Sequence, residues 1–361
     1  MKRILSYLVV TAAALLCAGT LSAQISKTSA PVRYGWVSYD DMSEEFGLFG
    51  EHPQFQVEYN PLYGDVESVE EFIYYSGDLD ESGYPRSDAQ YDARRVWLLN
   101  DRGDVVEYKF YDGSYLDLHN EYEYNDLGLI SREILRGSVY GDLICLYEYN
   151  SKRQLVKKTE MSPLPDGGSE VYRVYNYKYD AKGNLISMIR TSDTVKFETT
   201  YTYDSANRLI NISEFDCNEN MCDNRTDYSY DAKGCIDGYT VIAGERNVAR
   251  DVYFVYDARG NLDKINYCFP SRFEVDRTTQ LVYNSSCKFC GYDHSSGGLK
   301  KIYTFDAKGR VIELHEVAND AVRAQFEHDD KGNVVLIRYN AMYIDYKDFI
   351  KTRVRKINYR K

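Results

Sequence analysis

A short motif of the form Tyr-x-Tyr-Asp-x-x-Gly-x-Leu recurs along most of this 361-residue chain. Its clearest copies read YKYDAKGNL, YSYDAKGCI, VYDARGNL, YTFDAKGRV and HDDKGNVVLI, and from residue 103 onward successive copies are 22 to 30 residues apart. A period of this length is typical of repeat architectures, in which each repeat is one supersecondary unit that packs on its neighbours. The repeat therefore constrains the fold more than any other feature of the sequence.

The copy at residues 177–185 shows how one unit folds. Tyr177 and Tyr179 are two residues apart and so lie on one face of a strand. Asp180 accepts hydrogen bonds from the backbone amides that follow it, and Gly183 supplies the positive φ that ends a type I turn with a bulge. This is a common hairpin connection. The residues assigned to the turn position of Gly183 are Gly103, Gly128, Gly183, Asn207, Gly234, Gly260, Gly309 and Gly332.

Three other units differ at this position. Asn207 replaces glycine with the residue that best tolerates a left-handed conformation, which supports the turn assignment. Arg153 and Cys287 tolerate it less well, so we expect locally different turns there. A further unit around Gly64 brings the total to about eleven.

Apolar residues follow each turn at two and five positions past the glycine, as Leu185 and Met188 do after Gly183. A spacing of three cannot lie on one face of a regular strand. Either a helical turn or a β-bulge in each return strand restores a common face. The turn signals on both sides and the period favour the bulge.

Each repeat is therefore predicted to be one β-hairpin. The composition agrees, with 36 Tyr and only 7 Pro, since the tyrosine ring packs on a pleated sheet while its hydroxyl reaches water. The predicted fold is all-β, with tandem β-hairpin repeats forming a long, twisted or coiled antiparallel meander of roughly twenty strands. The basic segment KTRVRKINY is expected to be a final edge strand whose Lys and Arg face solvent.

The first 23 residues have the features of a secretory signal peptide, with Lys2 and Arg3, an apolar stretch and a small residue, Ala23, before the expected cleavage point. The predicted organisation is a signal peptide at 1–23, an N-terminal segment at 24–54 and a repeat domain at 55–361. We expect export to the periplasm, the outer surface or the medium, without stable membrane insertion after cleavage. The net charge of −12 disfavours nucleic acid and anionic membranes as partners.

The motif copies YKYDAKGNL, YSYDAKGCI, VYDARGNL and YTFDAKGRV resemble those of the YD-repeat (Rhs-type) family of exported bacterial proteins, and HDDKGNVVLIRY followed by RVRKINYR is similar to the ending of its small members. The resemblance covers roughly residues 91–361. It implies a hairpin-repeat sheet, which in large relatives winds into a hollow shell around a toxin. We expect no C-terminal toxin domain and a chain too short to close a large shell, so the resemblance implies the fold and not an activity.

No residue pattern indicates catalysis, a cofactor or a metal. The five histidines belong to no nucleophile or zinc motif. The acidic stretches DLDESG and DCNENMCDNRTD lack, respectively, the closing Glu and the central Gly of a calcium loop. Seven cysteines follow the signal peptide, and in an exported protein disulfides are expected. Cys217 and Cys222 flank a predicted turn and are the candidate disulfide pair, and Cys287 with Cys290 fits a disulfide or free thiols better than a metal corner.

Three hypotheses of function follow. The first is an exported, non-enzymatic binding module for a glycan or a protein at the cell envelope. The second is a structural or self-associating envelope component whose edge strands or faces pair. The third is an enzyme acting on glycans, which is disfavoured because the recurrent Asp residues already have a structural role in turns.

Overall fold

The computed structural model describes residues 62–137, 141–244, 247–260, 262–269, 274–283, 289–294, 299–308, 310–316, 321–340 and 349–360. These residues form one antiparallel sheet of 22 strands and one short 3-10 helix. Among the described strands each one pairs with the next in antiparallel fashion, so the predicted all-β meander is confirmed.

Most strands are seven to eleven residues long. Their bounds are β1 Val66–Tyr75, β2 Ala93–Leu99, β3 Val105–Asp112, β4 Tyr115–Tyr124, β5 Ile130–Arg136, β6 Leu143–Tyr149, β7 Leu155–Pro163, β8 Ser169–Tyr179, β9 Leu185–Thr191, β10 Lys196–Tyr203, β11 Leu209–Asp216, β12 Met221–Tyr230, β13 Ile236–Ala243, β14 Asn247–Tyr256, β15 Leu262–Phe269, β16 Glu274–Tyr283, β17 Phe289–His294, β18 Leu299–Phe305, β19 Val311–Glu316, β20 Ala321–His328, β21 Val334–Asn340 and β22 Phe349–Tyr359. The 3-10 helix spans Ser76–Asp78.

The β8–β9 hairpin shows the bulge that the apolar spacing predicts. Tyr177 lies opposite Met188 and Tyr179 lies opposite Leu185, so Ile186 is an extra residue without a partner in the register. The bulge brings Leu185 and Met188 to the face of the two tyrosines and leaves Ile186 exposed. The predicted return-strand bulge is thus confirmed.

The same irregularity recurs three residues past the turn position in hairpin after hairpin. The extra residues are Val106, Ser131, Val156, Ile186, Ile210, Asp237, Asp263, Cys290, Ile312 and Val335. A bulge at each repeat adds local twist to the sheet.

The turn position has positive φ in every repeat that the structure describes there. The values are 78° at Gly103, 75° at Gly128, 93° at Gly183, 66° at Asn207, and 86°, 86° and 98° at Gly234, Gly260 and Gly332.

Arg153 has a φ of 65° as well, so the expectation of a different turn there is wrong. Its amide donates to the Asn150 carbonyl, as the amide of Gly183 does to that of Asp180. The side-chain oxygen of Asn150 accepts the amides of Lys152 and Gln154. These bonds hold the arginine in a conformation that it rarely adopts.

The last tyrosine of each outgoing strand links its hairpin to the one before. Tyr179 OH donates to the Leu155 carbonyl at 2.9 Å, and Leu155 is two residues past the turn position of the preceding unit. The same bond joins Tyr124 to Val105, Tyr149 to Ile130, Tyr203 to Leu185, Tyr230 to Leu209 and Tyr256 to Ile236. The expectation that these hydroxyls reach water is therefore wrong, because each binds a backbone carbonyl at a bulge.

The first and last strands of the sheet pair with each other. β1 lies between β2 and β22, with Val66 opposite Tyr359 and Tyr75 opposite Lys351. The hydrogen-bonded sequence of strands therefore returns to β1. The prediction that the basic C-terminal strand lies at a sheet edge is wrong, because β22 has a partner on both sides.

A buried ion network lies where β1 meets β2 and β22. Glu71 of β1 is fully buried, and its two carboxylate oxygens contact Arg95 of β2 at 3.3 Å and Arg355 of β22 at 2.8 Å. Burial acts to raise the pKa of Glu71, but Arg355, Arg353 and Arg95 outweigh it and lower the pKa. Glu71 is therefore ionised and joins three strands.

The apolar core of the described residues forms three clusters on the face of the tyrosines. One is centred on Val66, Val69, Trp97, Leu99 and Val105, a second on Tyr177, Met188, Tyr201 and Leu209, and the largest lies in β14–β15 and β18–β21. Between the first two clusters, in β5–β7, the row of apolar side chains on this face is interrupted by charged residues.

Candidate functional site

Charged residues occupy core positions of two adjacent repeats. Five residues past the turn position, most repeats place an apolar side chain, such as Met188, on the core face. Glu133 of β5 and Lys158 of β7 stand at this position instead. Charged groups are rarely placed at such sites unless they are paired, so the exception marks a specialised region of the sheet.

These residues belong to two rows that cross the strands on the core face. Tyr147, Lys158 and Tyr175 are register partners across β6, β7 and β8. The adjacent row is Glu133, Cys145, Glu160 and Arg173, across β5 to β8. We call these seven residues the β5–β8 polar cluster.

Direct contacts connect the members of the polar cluster. Lys158 Nζ lies 2.9 Å from Glu160 Oε1 and 5.6 Å from the centroids of both the Tyr147 and the Tyr175 rings. Arg173 Nη1 donates to Glu160 Oε2 at 3.3 Å and to the Tyr175 hydroxyl at 3.1 Å. The ammonium of Lys158 is thus held between two aromatic faces.

A further contact joins Tyr147 to Glu133, since Tyr147 OH donates to Glu133 Oε2 at 2.7 Å. The members of the cluster differ in exposure. Cys145 and Glu160 are buried, whereas the side chains of Lys158 and Arg173 retain 23% and 22% of their exposure. Cys145 and Glu160 therefore form the buried part of the cluster, and Lys158 and Arg173 form the part that solvent reaches.

The environment fixes the protonation states of the cluster. Burial raises the pKa of the Cys145 thiol to about 12 and raises that of Tyr147, to which the Glu133 carboxylate also contributes. Burial acts to lower the pKa of Lys158, but the Glu160 carboxylate 2.9 Å from its ammonium opposes burial, and the pKa is raised. At neutral pH the thiol and the phenol are therefore neutral, and the lysine is charged.

This arrangement is suited to recognition of a polar ligand. It offers ammonium and guanidinium donors, carboxylate acceptors and phenol groups beside two aromatic rings. A thiol and an amine held in their protonated forms are poor nucleophiles and poor bases.

The sequence contains a signal for this cluster that the interpretation of the repeat missed. Aligned on the turn position, Glu133 and Lys158 stand in a column of otherwise mostly apolar residues. The pairing of the two rows follows from the hairpin register and needs the structure.

The predicted turn residues do not come together in one site, because each lies in its own hairpin, and Gly309 lies outside the described residues. Cys217 follows β11, and Cys222 lies in β12 across the connecting turn; both are thiols in the structure, and a disulfide between them stays a prediction. The signal peptide and Cys287 lie outside the described part of the chain.

Asp80 of the DLDESG stretch has a role in a turn. Its Oδ1 accepts the amides of Ser82 at 2.8 Å and Tyr84 at 3.0 Å. Within the described residues, no helix has the length and apolar character needed to cross a lipid bilayer.

The solved structures that the chain matches include TcdB2–TccC3 and a Tc holotoxin pore. A crystal structure of TcdB2–TccC3 is 13% identical to the chain, with a TM-score of 0.41 and coverage of 80% of this chain and 18% of that one. The Tc holotoxin pore of Photorhabdus luminescens is 10% identical, with a TM-score of 0.30 and coverage of 72% and 19%. The chain thus spans about a fifth of the length of these proteins.

A porin-like protein from Bacteroides uniformis is 13% identical, with a TM-score of 0.27 and coverage of 82% of this chain and 99% of that one. No curated protein sequence matches the chain.

The model of the Teneurin YD-shell family matches residues 38–276, which is well over half of the chain. The match includes the hairpins from Gly64 to Gly260 together with the β5–β8 polar cluster. Both the recurrent YD motif and the hairpin sheet that it builds agree with this match. The chain belongs to the Teneurin YD-shell family of β-repeat proteins.

Proposed function

We propose that this protein is an exported, non-enzymatic binding module of the cell envelope that recognises a glycan through the β5–β8 polar cluster. The observation that carries the proposal is the replacement of apolar core residues by Glu133 and Lys158 in adjacent repeats. Paired charges at core positions are often no more stable than apolar residues of similar size. A need for polar contacts to a ligand explains why charged residues interrupt the row of apolar core side chains here.

The chemistry of the cluster favours a glycan over an apolar ligand. A sugar ring presents an apolar face beside hydroxyl groups that both donate and accept hydrogen bonds. The rings of Tyr147 and Tyr175 provide aromatic surface, and Lys158, Arg173 and Glu133 provide donors and acceptors around it. A small number of polar groups placed among aromatic rings is typical of ligand sites.

The protonation states support binding rather than catalysis. The raised pKa values of the Cys145 thiol and of the Lys158 ammonium keep both groups protonated at neutral pH, so neither is an activated nucleophile.

The pairing of β1 with β22 bears on the alternative of a self-associating component. An unpaired edge strand is the usual template for strand addition between copies. Both terminal strands of the described sheet already have a partner on each side, which disfavours assembly through their edges.

A glycan-array screen of purified residues 24–361 tests the proposal, with size-exclusion light scattering on the same sample. We expect a monomer that binds a defined set of glycans, with binding lost in Lys158→Met and kept in Lys157→Met. The neighbouring Lys157 faces the opposite side of the sheet, where it pairs with Glu148, and is the matched control. Absence of glycan binding, or equal binding by the two variants, would refute the proposal.

A further inference from the structure

A second cluster of ligand-type side chains lies on the other face of the sheet, on β3 and β4. Glu107 and Glu121 are register partners, and His119 is two residues from Glu121 on the same face. Glu107 adjoins Tyr108, which packs against the core cluster of Val66 and Trp97. Because side chains alternate along a strand, this second cluster lies opposite the core and is separate from the β5–β8 polar cluster.

His119 directs one ring nitrogen at both carboxylates. Nε2 lies 2.8 Å from Glu107 Oε1 and 3.5 Å from Glu121 Oε1, and the three atoms lie within 4.8 Å of one another. A ring nitrogen carries one hydrogen at most, so it can satisfy only one of two carboxylate oxygens well. All three residues are half-buried, which gives the side chains a defined geometry.

We propose that Glu107, His119 and Glu121 form a binding site for a divalent transition metal of the Zn²⁺ type. One imidazole nitrogen with two carboxylate oxygens is a ligand set that suits Zn²⁺. Ligand atoms on a tetrahedral zinc ion are about 3.4 Å apart, given metal–ligand distances near 2.1 Å. The 3.5 Å between His119 and Glu121 matches this spacing, and Glu107 must withdraw by roughly half an ångström from its 2.8 Å contact.

Two basic residues compete with a metal for the carboxylates. Lys109 Nζ lies 2.7 Å from Glu107 Oε1, the oxygen that also faces His119. Arg136 Nη1 lies 2.9 Å from Glu121 Oε2, the oxygen that does not face the histidine. Arg136 can therefore stay in place and orient Glu121, whereas the flexible Lys109 side chain must move away when the metal binds.

Because of this competition, the changes in zinc affinity in two variants distinguish the site from nonspecific zinc binding at the surface. Removing the charge of Lys109 removes a repulsion of about one unit charge at short range, so zinc affinity rises in Lys109→Gln. Removing a ligand in His119→Gln lowers affinity. A nonspecific electrostatic site would also respond to Lys109→Gln, but His119→Gln would not weaken it, because that substitution removes no negative charge.

The test is titration calorimetry of purified residues 24–361, free of any affinity tag, with ZnCl₂, together with visible absorption after addition of CoCl₂. We expect one zinc ion per chain at this site, affinity at least about tenfold weaker in His119→Gln, and affinity about fivefold or more tighter in Lys109→Gln. His315→Gln, on β19, is the matched histidine control and should leave the titration unchanged. Equal titrations of wild type and His119→Gln, or no saturable zinc binding, would overturn the proposal.

Discussion

Tyr359 of the last strand lies opposite Val66 of the first, in the register that Tyr179 and Leu185 occupy within a single hairpin. The extra residue of the bulge, Glu67, falls at the same place as Ile186. The Arg360 amide donates to the Asp65 carbonyl at 2.9 Å, as the Asp180 amide does to that of Asn184. The first and last described strands therefore assemble an eleventh hairpin from two half-repeats.

Arg360 also takes the place of a missing tyrosine in the series of hydrogen bonds between repeats. In other repeats a tyrosine four residues before the turn position donates its hydroxyl to the carbonyl at the preceding bulge, as Tyr179 does to Leu155. In the repeat of Gly103 this position is Leu99, which has no hydroxyl. The Val66 carbonyl instead accepts Arg360 Nη1 at 3.0 Å, and Arg360 Nη2 contacts the Leu99 carbonyl. Arg360 therefore fills a gap in the pattern of inter-repeat hydrogen bonds at the junction of β1 and β22.

The buried Glu71 network should contribute strongly to the stability of this junction. In Glu71→Gln the carboxylate is lost and the guanidinium groups of Arg95 and Arg355 remain, so we expect a loss of about 3 kcal/mol in the free energy of unfolding. Urea unfolding followed by circular dichroism measures it.

Glu148→Gln is the control, since Glu148 pairs with Lys157 across strands in the same way but at the surface. That substitution should cost less than about 1 kcal/mol. Similar losses in the two variants would contradict the importance of the buried network.

The tyrosine-to-carbonyl bonds between repeats should each contribute to stability. Tyr179→Phe removes only the hydroxyl that binds the Leu155 carbonyl, and we expect a loss of about 1 kcal/mol in the free energy of unfolding. Tyr253→Phe removes a hydroxyl from a side chain that is 50% exposed and should change stability little. If thermal denaturation shows the same small shift for both variants, the inter-repeat bond has no stabilising role.

Two glycines should respond differently to replacement by alanine. Gly183 has a φ of 93°, and a Cβ there would lie 3.3 Å from Gln154 Nε2, so Gly183→Ala should destabilise the protein by about 1 kcal/mol or more. Gly77 lies in the 3-10 helix, and a Cβ there meets no atom within 4 Å. Gly77→Ala should be neutral or stabilising by up to about 1 kcal/mol. Chemical denaturation of both variants checks the difference, and a neutral Gly183→Ala would contradict the turn assignment.

Stability should fall in acid because of the turn aspartates. Backbone amides hold the pKa of Asp306 at about 2, and amide hydrogen bonds also lower the pKa values of Asp180 and Asp204. A carboxyl whose pKa is lower in the folded state stabilises the protein above its unfolded pKa, near 3.9, and loses that contribution as the pH falls through the folded pKa. We therefore expect a decline in unfolding free energy between about pH 4 and pH 2.

Asparagine at the same position makes the same amide contacts without a titrating group, as Asn125 does with Leu127 and Leu129. Replacing the three aspartates by asparagine should flatten the acid decline, and Asn125→Asp should steepen it. An unchanged pH profile in both variants would contradict the linkage.

The fold of one repeat is predictable from the sequence because its determinants are local. The position of Asp180 and Gly183 specifies the turn, and the spacing of Leu185 and Met188 specifies the bulge. The intrinsic preference of arginine disfavours a positive φ at Arg153, but the side-chain oxygen of Asn150 accepts the amides of Lys152 and Gln154 and holds the turn.

The junction and the two candidate sites depend on long-range pairing. The alternation of basic residues in β22 fits an edge strand, and only the meeting of β22 with β1 shows why Arg355 is buried. Glu107 and His119 are twelve residues apart and converge only through the β3–β4 register. The charges at Glu133 and Lys158 can be read from the aligned repeats, but their contacts with Tyr147 and Glu160 cannot.

Disulfide trapping between the first and last strands tests the account most directly. Glu70 and Lys356 are register partners across β1 and β22, so a chain carrying Glu70→Cys and Lys356→Cys should form an intrachain cross-link under mild oxidation, mapped by mass spectrometry. The control pairs Glu70→Cys with Ile350→Cys, an exposed position on β22 that lies about 20 Å further along the strand. A cross-link in the first variant and none in the control is the predicted result. Equal cross-linking of both, or none in either, would contradict the pairing of β1 with β22.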